Sequence, residues 1–417
     1  KHSVPRQEAI ELFRKLGRSG KVNLLSELSQ PVISIYTCEN YTDYLYGPML
    51  YETKNLDRFE LDYEPFGVLI RTPDERTNGQ IRKRVNQPKF GSILAESKAW
   101  ADILDCRFIS DLNRINREQS IGELIRISEG LQEKRIAQIA DHISAHREHI
   151  RLILIAGPSS SGKTSFAQRL RIQLRVNGLR PVMISLDDYF LNREDTPLNE
   201  KGQYDYESLE ALDTKLFNQD MIDLLAGKKV QIPRYNFITG MREWKDDTFL
   251  SIQADQPIII EGIHGLNEYL TKDIPRINKY KIYISALTQL NIDAHNRIPT
   301  TEVRFLRRLV RDYQFRGAKA LKSIRQWPDV RAGEEKYIFP FQEDADVLFN
   351  SALIYEIGVL KKYAVPLLEE INCGEEGYTE ARLILRFLQY VDEISAIDDI
   401  PNNSILREFI GKSVFFS

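Results

Sequence analysis

The stretch ILIAGPSSSGKTSFAQRL, residues 153–170, decides the fold of this chain. It joins a short apolar run to a glycine-rich loop, and the loop to a segment with helical periodicity. Residues 157–164 fit the pattern G-x-x-x-x-G-K-[ST] without a mismatch, between a predicted strand and a predicted helix, as the motif requires. The two glycines let the backbone curl so that successive N–H groups point at phosphate oxygens. The sequence therefore predicts a site for the phosphates of a nucleotide.

The loop residues have predicted roles of their own. Lys163 reaches the β- and γ-phosphates, and the Thr164 hydroxyl is a hard oxygen ligand suited to Mg²⁺. The following helix adds its positive N-terminal end. The predicted nucleotide-binding set is Gly157, Pro158, Ser159, Ser160, Ser161, Gly162, Lys163, Thr164 and Ser165. The loop alone does not distinguish an ATPase, a GTPase and a kinase.

Buried strands and helices alternate after the loop. The runs PVMISLDD, QPIIIEGI, KYKIYISA and ADVLFNSAL are short and rich in β-branched residues, which predicts strands. The alternation predicts an α/β fold, a P-loop NTPase-type parallel sheet covered by helices on both faces. Mixed helix and strand signals predict a smaller α+β domain before it. The predicted divisions are an α+β domain at 1–110, a helical linker at 111–150, a P-loop domain at 151–370 and a helical tail at 371–417.

Composition limits the classes of protein. The 417 residues carry 57 basic and 60 acidic side chains, a net charge of −3, which argues against a dedicated nucleic-acid binder. Three cysteines lie far apart, so a disulfide framework is disfavoured and a reducing cytoplasmic location is expected. The N-terminus has no apolar leader core and no apolar run approaches 18 residues, so secretion and membrane spanning are disfavoured.

Acidic residues follow two of the predicted strands. Asp187 and Asp188 come after ISL, at the edge where parallel sheets bind ligands, and either could accept a proton from an attacking hydroxyl. Glu261 ends the run PIIIE, a position suited to hold Mg²⁺ directly or through water. His264 follows closely, and a structural or substrate-lining role is favoured for it over a catalytic one.

A row of arginines follows in TTEVRFLRRLVRDYQFRG. On a helix Arg304, Arg307 or Arg308, and Arg311 recur at i, i+3 or i+4, and i+7, so that one face carries stacked guanidinium groups. Phosphoryl transfer develops negative charge on the γ-phosphoryl oxygens, and such a row neutralises it when a lid closes. The simpler interpretation, a solvated basic helix face, is less consistent with a position downstream of a phosphate loop.

Residues 151 to about 370 resemble the uridine kinase and phosphoribulokinase group of phosphate-loop kinases. The resemblance depends on GPSSSGKTS, ISLDDYF, YDYESLEALD, IPRYNF, IIIEGIHGL and RFLRRLVRD. It implies ATP as phosphoryl donor, Mg²⁺, and a nucleoside as acceptor. Its implied site residues are Asp187 as catalytic base, Asp205 on the ribose, Tyr235 and Phe237 around the nucleobase with Arg242 after them, Glu261 for magnesium, and Arg304, Arg307, Arg308 and Arg311 as lid.

One position departs from the family pattern. Uridine kinases carry a pyrimidine-reading histidine three residues after the aromatic pair, where this chain has Gly240 in YNFITGMREW. The favoured acceptor is the ribose 5′-hydroxyl of a nucleoside, with a sugar phosphate or pantothenate as the alternative. A further alternative is a nucleotide-switched RNA-binding or regulatory protein. The sequence leaves the oligomeric state open.

The first domain carries a second resemblance. PRQEAIELFRKLG and ISIYTCENYTDYLYGPML resemble part of the editing domain of threonyl-tRNA synthetases. Those enzymes use a cysteine and a histidine within a segment that is DYLYGPM here, residues 43–49. Leu45 and Met49 stand at the two chemical positions, so the resemblance implies that the editing chemistry is lost. Nucleic-acid binding through this domain stays open, although the charge balance disfavours it.

Overall fold

A computed structural model describes residues 1–45, 49–50, 52–65, 67–74, 77–199 and 202–416. The chain divides into two compact units that alternate along the sequence. The first unit comprises Lys1–Leu124, Leu287–Glu302 and Ile354–Ile397, and the second comprises Ile125–Ala286, Val303–Leu353 and Asp398–Ser417. The domain boundaries at 110, 150 and 370 stay a prediction from the sequence.

The first unit is built from short strands and helices. Its strands are β1 (His2–Pro5), β2 (Val32–Cys38), β3 (Tyr41–Tyr44), β4 (Glu60–Glu64), β5 (Gly67–Arg71), β6 (Pro73–Asp74) and β7 (Gln80–Ile81). Its helices are α1 (Arg6–Lys15), α2 (Ser19–Glu27), α3 (Pro88–Ile103), α4 (Ile109–Arg117), α10 (Glu356–Glu369) and α11 (Tyr378–Leu388). The strands pair antiparallel as β1-β2-β3, β4-β5 and β6-β7.

The second unit contains the predicted alternation of strands and helices. Its strands are β8 (Leu152–Ala156), β9 (Val182–Ser185), β10 (Val230–Gln231), β11 (Arg234–Asn236), β12 (Met241–Glu243), β13 (Phe249–Leu250), β14 (Ile258–Glu261), β15 (Lys279–Ser285) and β16 (Val347–Asn350). Its helices are α6 (Lys163–Val176), α7 (Thr214–Leu225), α9 (Ala320–Tyr337) and α12 (Arg407–Ile410). Most of α5 (Ile121–Ala145) and α8 (Thr300–Arg316) also belongs to it.

Five strands form one parallel sheet in the order β16-β15-β8-β14-β9. Every residue of β8 is fully buried, as expected for a central strand covered on both faces. On one face Leu152 and Leu154 pack into a core with Phe217 of α7. On the other, Phe166 of α6 packs against Phe349 of β16, with ring centroids 4.6 Å apart and the rings tilted by 48°. The predicted fold class is therefore confirmed.

The sheet order determines where the functional residues gather. β9 and β14 are neighbours and β14 lies beside β8, so the carboxyl ends of these three strands meet at one edge. The phosphate loop follows β8, Asp187 follows β9, and Glu261 ends β14. In the described part of the chain, no helix is both long and apolar enough to span a membrane.

Candidate active site

The phosphate loop connects β8 to α6 as the motif predicts. Gly162 immediately precedes α6 with a φ of 83°, in the left-handed region that glycine adopts without strain. Ser160 also has a positive φ, 59°, so two of three consecutive loop residues have a left-handed backbone conformation. The ammonium group of Lys163 lies folded over the loop, because it donates to the carbonyl oxygens of Gly157 at 3.0 Å and Pro158 at 3.3 Å. Such curled backbone turns N–H groups inward as an anion cradle.

Two loop hydroxyls are buried without a partner. Ser160 and Ser161 are 4% and 0% exposed, and neither Oγ forms a hydrogen bond with any described residue. A buried polar group without a partner costs about 1–3 kcal/mol. An oxygen-rich ligand seated in the loop would remove that cost. The observation therefore favours a bound phosphate over an empty structural turn.

Thr164 and Glu261 form a small oxygen-rich corner beside the loop. The Thr164 hydroxyl donates to Oε1 of Glu261 at 3.3 Å. Burial, together with the negative charge of Asp187, raises the pKa of Glu261 to about 7, although Lys163 opposes the shift. A hydroxyl and a carboxylate are ligands that Mg²⁺ prefers, and it usually combines one or two protein oxygens with substrate phosphates. The described residues hold no group of three or more His, Cys, Asp or Glu side chains that could bind a metal. The donor set thus fits a nucleotide-bound Mg²⁺.

Asp187 and Asp188 differ in their partners. The Asp188 carboxylate accepts hydrogen bonds from Arg234 Nη1 at 3.0 Å and from the backbone N–H of Tyr235 at 3.3 Å. No described residue donates a hydrogen bond to the Asp187 carboxylate, which stays accessible to water in a crowded cleft. Desolvation in that cleft raises the pKa of Asp187, and the charge of Asp188 adds to the shift while Lys163 opposes it. Asp188 is thus engaged by β11, whereas the side chain of Asp187 is left exposed.

The four arginines lie on α8 but have different surroundings. Arg304 is buried, pairs with Glu334 of α9, with 2.7 Å between Nη2 and Oε2, and donates to the Ser159 carbonyl at 3.1 Å. Arg307 is also buried and donates to the carbonyl oxygens of Ser160 at 3.3 Å and Ser351 at 2.8 Å. These two arginines support the loop through its carbonyl oxygens.

The other two arginines of the row are less completely enclosed. Arg308 donates to the Ser159 hydroxyl at 3.1 Å and pairs with Asp312 at 3.2 Å. Arg311 pairs with the same carboxylate at 2.9 Å. Side-chain exposures of 13% and 14% leave both within reach of a ligand. The row therefore divides into a supporting pair and an accessible pair.

A cluster of aromatic rings lies around the end of β9 and on β11. Phe190 contacts Tyr206, Tyr235 and Phe237, with ring centroids 5.5–6.4 Å apart, and Tyr235 contacts Phe237 at 5.0 Å. Tyr206 also contacts Tyr204 at 6.1 Å, on the two sides of Asp205 in the sequence. The structure thus brings the predicted aromatic pair and the region of Asp205 together.

A cleft of about 690 Å³ continues from this cluster along α9. Asp205 lines it and accepts a hydrogen bond from the Tyr337 hydroxyl at 3.1 Å. Glu207 also lines it, and burial together with the charge of Glu334 raises the pKa of Glu207 to about 7. Arg242 lies apart from the cleft lining and pairs with Asp213 at 2.9 Å. Sequence reasoning missed Glu207, because one acid in YDYESLEALD gives no signal of its surroundings.

Gly240 has an arginine against it. The guanidinium of Arg193 leaves no room for a Cβ atom at position 240, because its Nε would lie only 2.6 Å from that atom. Arg193 Nη2 donates to the Phe237 carbonyl at 3.2 Å, and the Arg193 backbone N–H donates to the Gly240 carbonyl at 2.8 Å. At the position where the family pattern has a histidine, this chain therefore presents an exposed arginine beside the aromatic cluster.

His264 lies beside the cleft as a buried neutral group. It is 2% exposed, and its ring contacts that of Tyr337 at 6.1 Å. Burial lowers the pKa of His264 to about 4, so the imidazole is uncharged at neutral pH. This environment fits the predicted structural or lining role.

Ser165, the last of the predicted nucleotide-binding residues, already has an anionic partner. The Glu408 carboxylate accepts hydrogen bonds from Ser165 Oγ at 2.7 Å and from the Ser165 backbone N–H at 3.2 Å. Glu408 belongs to α12, more than 240 residues further along the chain. No local pattern in the sequence could have indicated this contact.

The segment with the predicted loss of editing chemistry lies partly outside the described residues, since Tyr46–Pro48 fall there. Asp43 is buried, and it pairs with Lys21 at 2.9 Å and with His295 at 2.7 Å. Leu45 is half-buried and Met49 is exposed. The editing-domain resemblance and the loss of its chemistry stay predictions.

Comparison with known proteins matches residues 152–356 to the Phosphoribulokinase / Uridine kinase family. The uridine kinase of Macrococcus caseolyticus is 31% identical over 198 residues, 47% of this chain and 86% of that enzyme. The uridine kinase of Saccharomyces cerevisiae is 30% identical over 262 residues, 62% of this chain and 46% of that protein.

Among solved structures, a "possible uridine kinase" from Bacillus stearothermophilus covers 52% of this chain and 98% of its own, at 18% identity and a TM-score of 0.32. That score is low, so the family assignment depends on the sequence matches. The family region begins at residue 152, and these matches give no support to the synthetase resemblance of the first domain.

Proposed function

Because this chain belongs to the phosphoribulokinase and uridine kinase family, we propose that it transfers the γ-phosphoryl group of ATP to the 5′-hydroxyl of a nucleoside. One observation carries the proposal. The phosphate loop, the Thr164–Glu261 corner and the Asp187 carboxylate meet at one edge of the sheet, with an aromatic cluster on the acceptor side. Ligands of open α/β sheets bind at this edge.

The donor side binds the triphosphate and its metal. The loop N–H groups, the α6 terminus and Lys163 hold the phosphates. Thr164 and Glu261 would hold Mg²⁺, which would supply positive charge to neutralise the phosphates. Lys163 leaves the two loop carbonyls that it contacts now and turns to the γ-phosphate.

The acceptor side supplies the base and the substrate contacts. Asp187 accepts the proton of the 5′-hydroxyl as the hydroxyl oxygen attacks the γ-phosphorus, the bond from that phosphorus to the β–γ bridging oxygen breaks, and ADP leaves. The raised pKa of the Asp187 carboxylate makes it a stronger base. Asp205 binds the ribose hydroxyls, and Tyr235 and Phe237 stack on the nucleobase. Flat rings favour a nucleobase over a sugar phosphate as the acceptor.

Arg308 and Arg311 are the arginines that we assign to the transferring phosphoryl group. Both are partly accessible, whereas Arg304 and Arg307 are engaged by loop carbonyls and by Glu334. Guanidinium groups on the equatorial oxygens stabilise the charge that develops during transfer. The proposed lid therefore consists of two of the four arginines that the sequence predicted.

The test is an ADP-release assay with ATP and Mg²⁺ against a panel of acceptors. The panel holds pyrimidine and purine nucleosides, ribulose 5-phosphate and pantothenate, with a no-acceptor control and product mass. Release only with nucleosides, together with a nucleoside monophosphate, is the expected result. ADP release with only ribulose 5-phosphate or only pantothenate would identify that compound as the acceptor instead. ATP binding without turnover on any acceptor would favour the nucleotide-switched RNA-binding or regulatory protein.

A further inference from the structure

The contact between Glu408 and Ser165 involves donors that a nucleotide phosphate needs. Ser165 is the third residue of α6, a 14-residue helix, and its N–H is among those left unpaired by the helix itself. An anion at this end is stabilised by the helix dipole and by these N–H groups. The Glu408 carboxylate takes both the N–H and the hydroxyl of Ser165. The Glu408 carboxylate therefore occupies the donors that an anionic ligand would bind.

We propose that Glu408 is a built-in competitor of the donor nucleotide, an autoinhibitory contact that must open before phosphate can take the Ser165 donors. The inference rests on the proposed function, because it assumes that the phosphate loop is the donor site. It adds a residue beyond the matched family region, which ends at residue 356. Donor affinity is then set partly by the C-terminal segment, residues 398–416.

The backbone around Glu408 is firmly held. The Ser404 hydroxyl donates to Glu129 Oε1 at 2.5 Å, and both residues are buried. Ile405 is fully buried and packs against Gly162 of the loop. Phe409 is also fully buried, with its ring 5.1 Å from the Arg307 guanidinium. These anchors flank Glu408 on both sides, so the movable part is its half-buried side chain.

Space and countercharge for the displaced carboxylate lie next to it. A cavity of about 350 Å³ is bounded by Glu408, Thr164 and the end of α8. Its lining includes the cationic side chains of Arg316 and Lys412, neither of which is assigned to the phosphoryl group. A change of Glu408 rotamer into this cavity keeps the carboxylate beside positive charge while the Ser165 donors become free. The Ser165 contact is therefore reversible without unfolding α12.

Removing the carboxylate should strengthen donor binding. In the wild type the incoming phosphates must replace two hydrogen bonds, both strengthened by the carboxylate charge. They must also approach a like charge at short range. Both costs disappear in Glu408→Ala, and the charge cost disappears in Glu408→Gln. We expect the dissociation constant of a non-hydrolysable ATP analogue to fall about tenfold in Glu408→Ala, the effect of one such hydrogen bond.

The experiment is calorimetric titration of the full chain with a non-hydrolysable ATP analogue and Mg²⁺. Glu408→Gln keeps the side-chain shape and serves if the alanine variant does not fold. Asp399→Asn is the matched control, because it removes one negative charge from an exposed side chain of the same segment, whereas the neighbouring Asp398 pairs with Lys412 of the cavity lining. Tighter binding in the Glu408 variants with an unchanged control supports the competitor.

A second readout is thermal unfolding with and without the analogue. Without nucleotide the Glu408 variants should unfold at a lower temperature, because α6 loses its anionic partner. With nucleotide their midpoint should rise by more than that of the wild type. Unchanged or weaker binding in the Glu408 variants would overturn the inference and make this residue structural. Absence of binding in the wild type and all variants would overturn both the inference and the proposed donor site.

Discussion

At the scale of single residues, Asp187 is the carboxylate whose removal should separate binding from chemistry. Asp187→Asn keeps the size of the side chain but cannot accept the acceptor's proton. We expect kcat to fall by about two to four orders of magnitude, the usual contribution of a general base, with ATP affinity retained. Single-turnover phosphorylation together with nucleotide titration measures both quantities.

The matched variant for this prediction is Asp188→Asn, which weakens the contacts to Arg234 and to the Tyr235 backbone. We expect it to raise KM for the acceptor, since Tyr235 belongs to the aromatic cluster, with a smaller effect on kcat. If Asp188→Asn instead lowers kcat more than Asp187→Asn does, Asp188 is the general base.

Arg193 offers a second prediction, on the choice of nucleobase. A guanidinium only donates hydrogen bonds, so at the one position where the two pyrimidines differ it favours the second carbonyl oxygen of uracil over the amino group that cytosine carries there. We expect Arg193→Ala to lower kcat/KM for uridine about tenfold to a hundredfold, the range for a hydrogen bond with a charged group. The value for cytidine should change little.

Gly240→Ala also tests whether the position of Arg193 determines the preference for uridine. A Cβ at position 240 would collide with the Arg193 guanidinium, and the φ of 73° there is unfavourable for alanine. This variant should therefore lose uridine preference as Arg193→Ala does. Equal losses for uridine and cytidine in both variants would assign Arg193 a structural role only.

At the scale of elements, α8 and α9 are joined beneath the phosphate loop by a buried ion pair. Glu334 is 0% exposed, pairs with Arg304, and accepts a hydrogen bond from the Ser159 N–H at 3.1 Å. Arg304→Met would leave that carboxylate with Arg331, at 2.9 Å, as its remaining ion-pair partner, and breaking a buried pair from one side costs up to about 3–5 kcal/mol. We expect a loss of this size in the free energy of unfolding, measured by urea denaturation.

The double variant Arg304→Met with Glu334→Gln shows whether the charge is responsible. Because no unpaired carboxylate is left, its loss of stability should be clearly smaller than that of Arg304→Met alone. A double variant as unstable as the sum of the two single variants would mean that the two side chains act independently.

The elements themselves were largely predictable from local pattern. The apolar β-branched runs became β8, β9, β14, β15 and β16, because their length and composition fit only buried strands in this alternation. The phosphate loop was predictable for the same reason, since a fixed spacing of glycine, lysine and threonine determines its shape. The surroundings of the arginine row were not, because the partners of Arg304 come from α9 and from the loop. Glu408 was missed because its contact joins positions far apart in sequence.

At the scale of the whole molecule, the chain interleaves its two units, and no local signal predicts that. Residues 287–302 and 354–397 belong with the N-terminal unit, although they follow strands of the parallel sheet. Long-range packing decides this allocation. The same long-range packing buries acidic side chains that are unremarkable in sequence, and the pH dependence of stability follows from that burial.

Several buried carboxyl groups of the described residues keep their protons to higher pH when the chain is folded, Asp187 among them. Burial raises the pKa of Glu207 and Glu261 to about 7 and that of Asp220 to about 6. From about pH 5 to pH 7 the folded chain therefore binds protons that the unfolded chain has released, so raising the pH favours unfolding. His264 acts in the opposite direction between its lowered pKa of about 4 and its ordinary value of 6.5, because there the unfolded chain holds the extra proton.

Because these carboxyl groups outnumber His264 and titrate further into the range, the ligand-free protein should become less stable as the pH rises from about 5.5 to 7.5. Thermal unfolding midpoints across this range measure the effect, and Glu207→Gln with Glu261→Gln should flatten the decline, because the amides do not ionise. Glu11→Gln, an exposed acid on α1, is the control and should leave the slope unchanged. Mg²⁺ with a non-hydrolysable ATP analogue should raise the midpoint more at the upper end, where Glu261 is ionised and can hold the metal. A stability that rises with pH would mean that these carboxyl groups are already charged in the folded chain. It would then contradict the argument that burial raises the pKa of the carboxyl groups around Asp187.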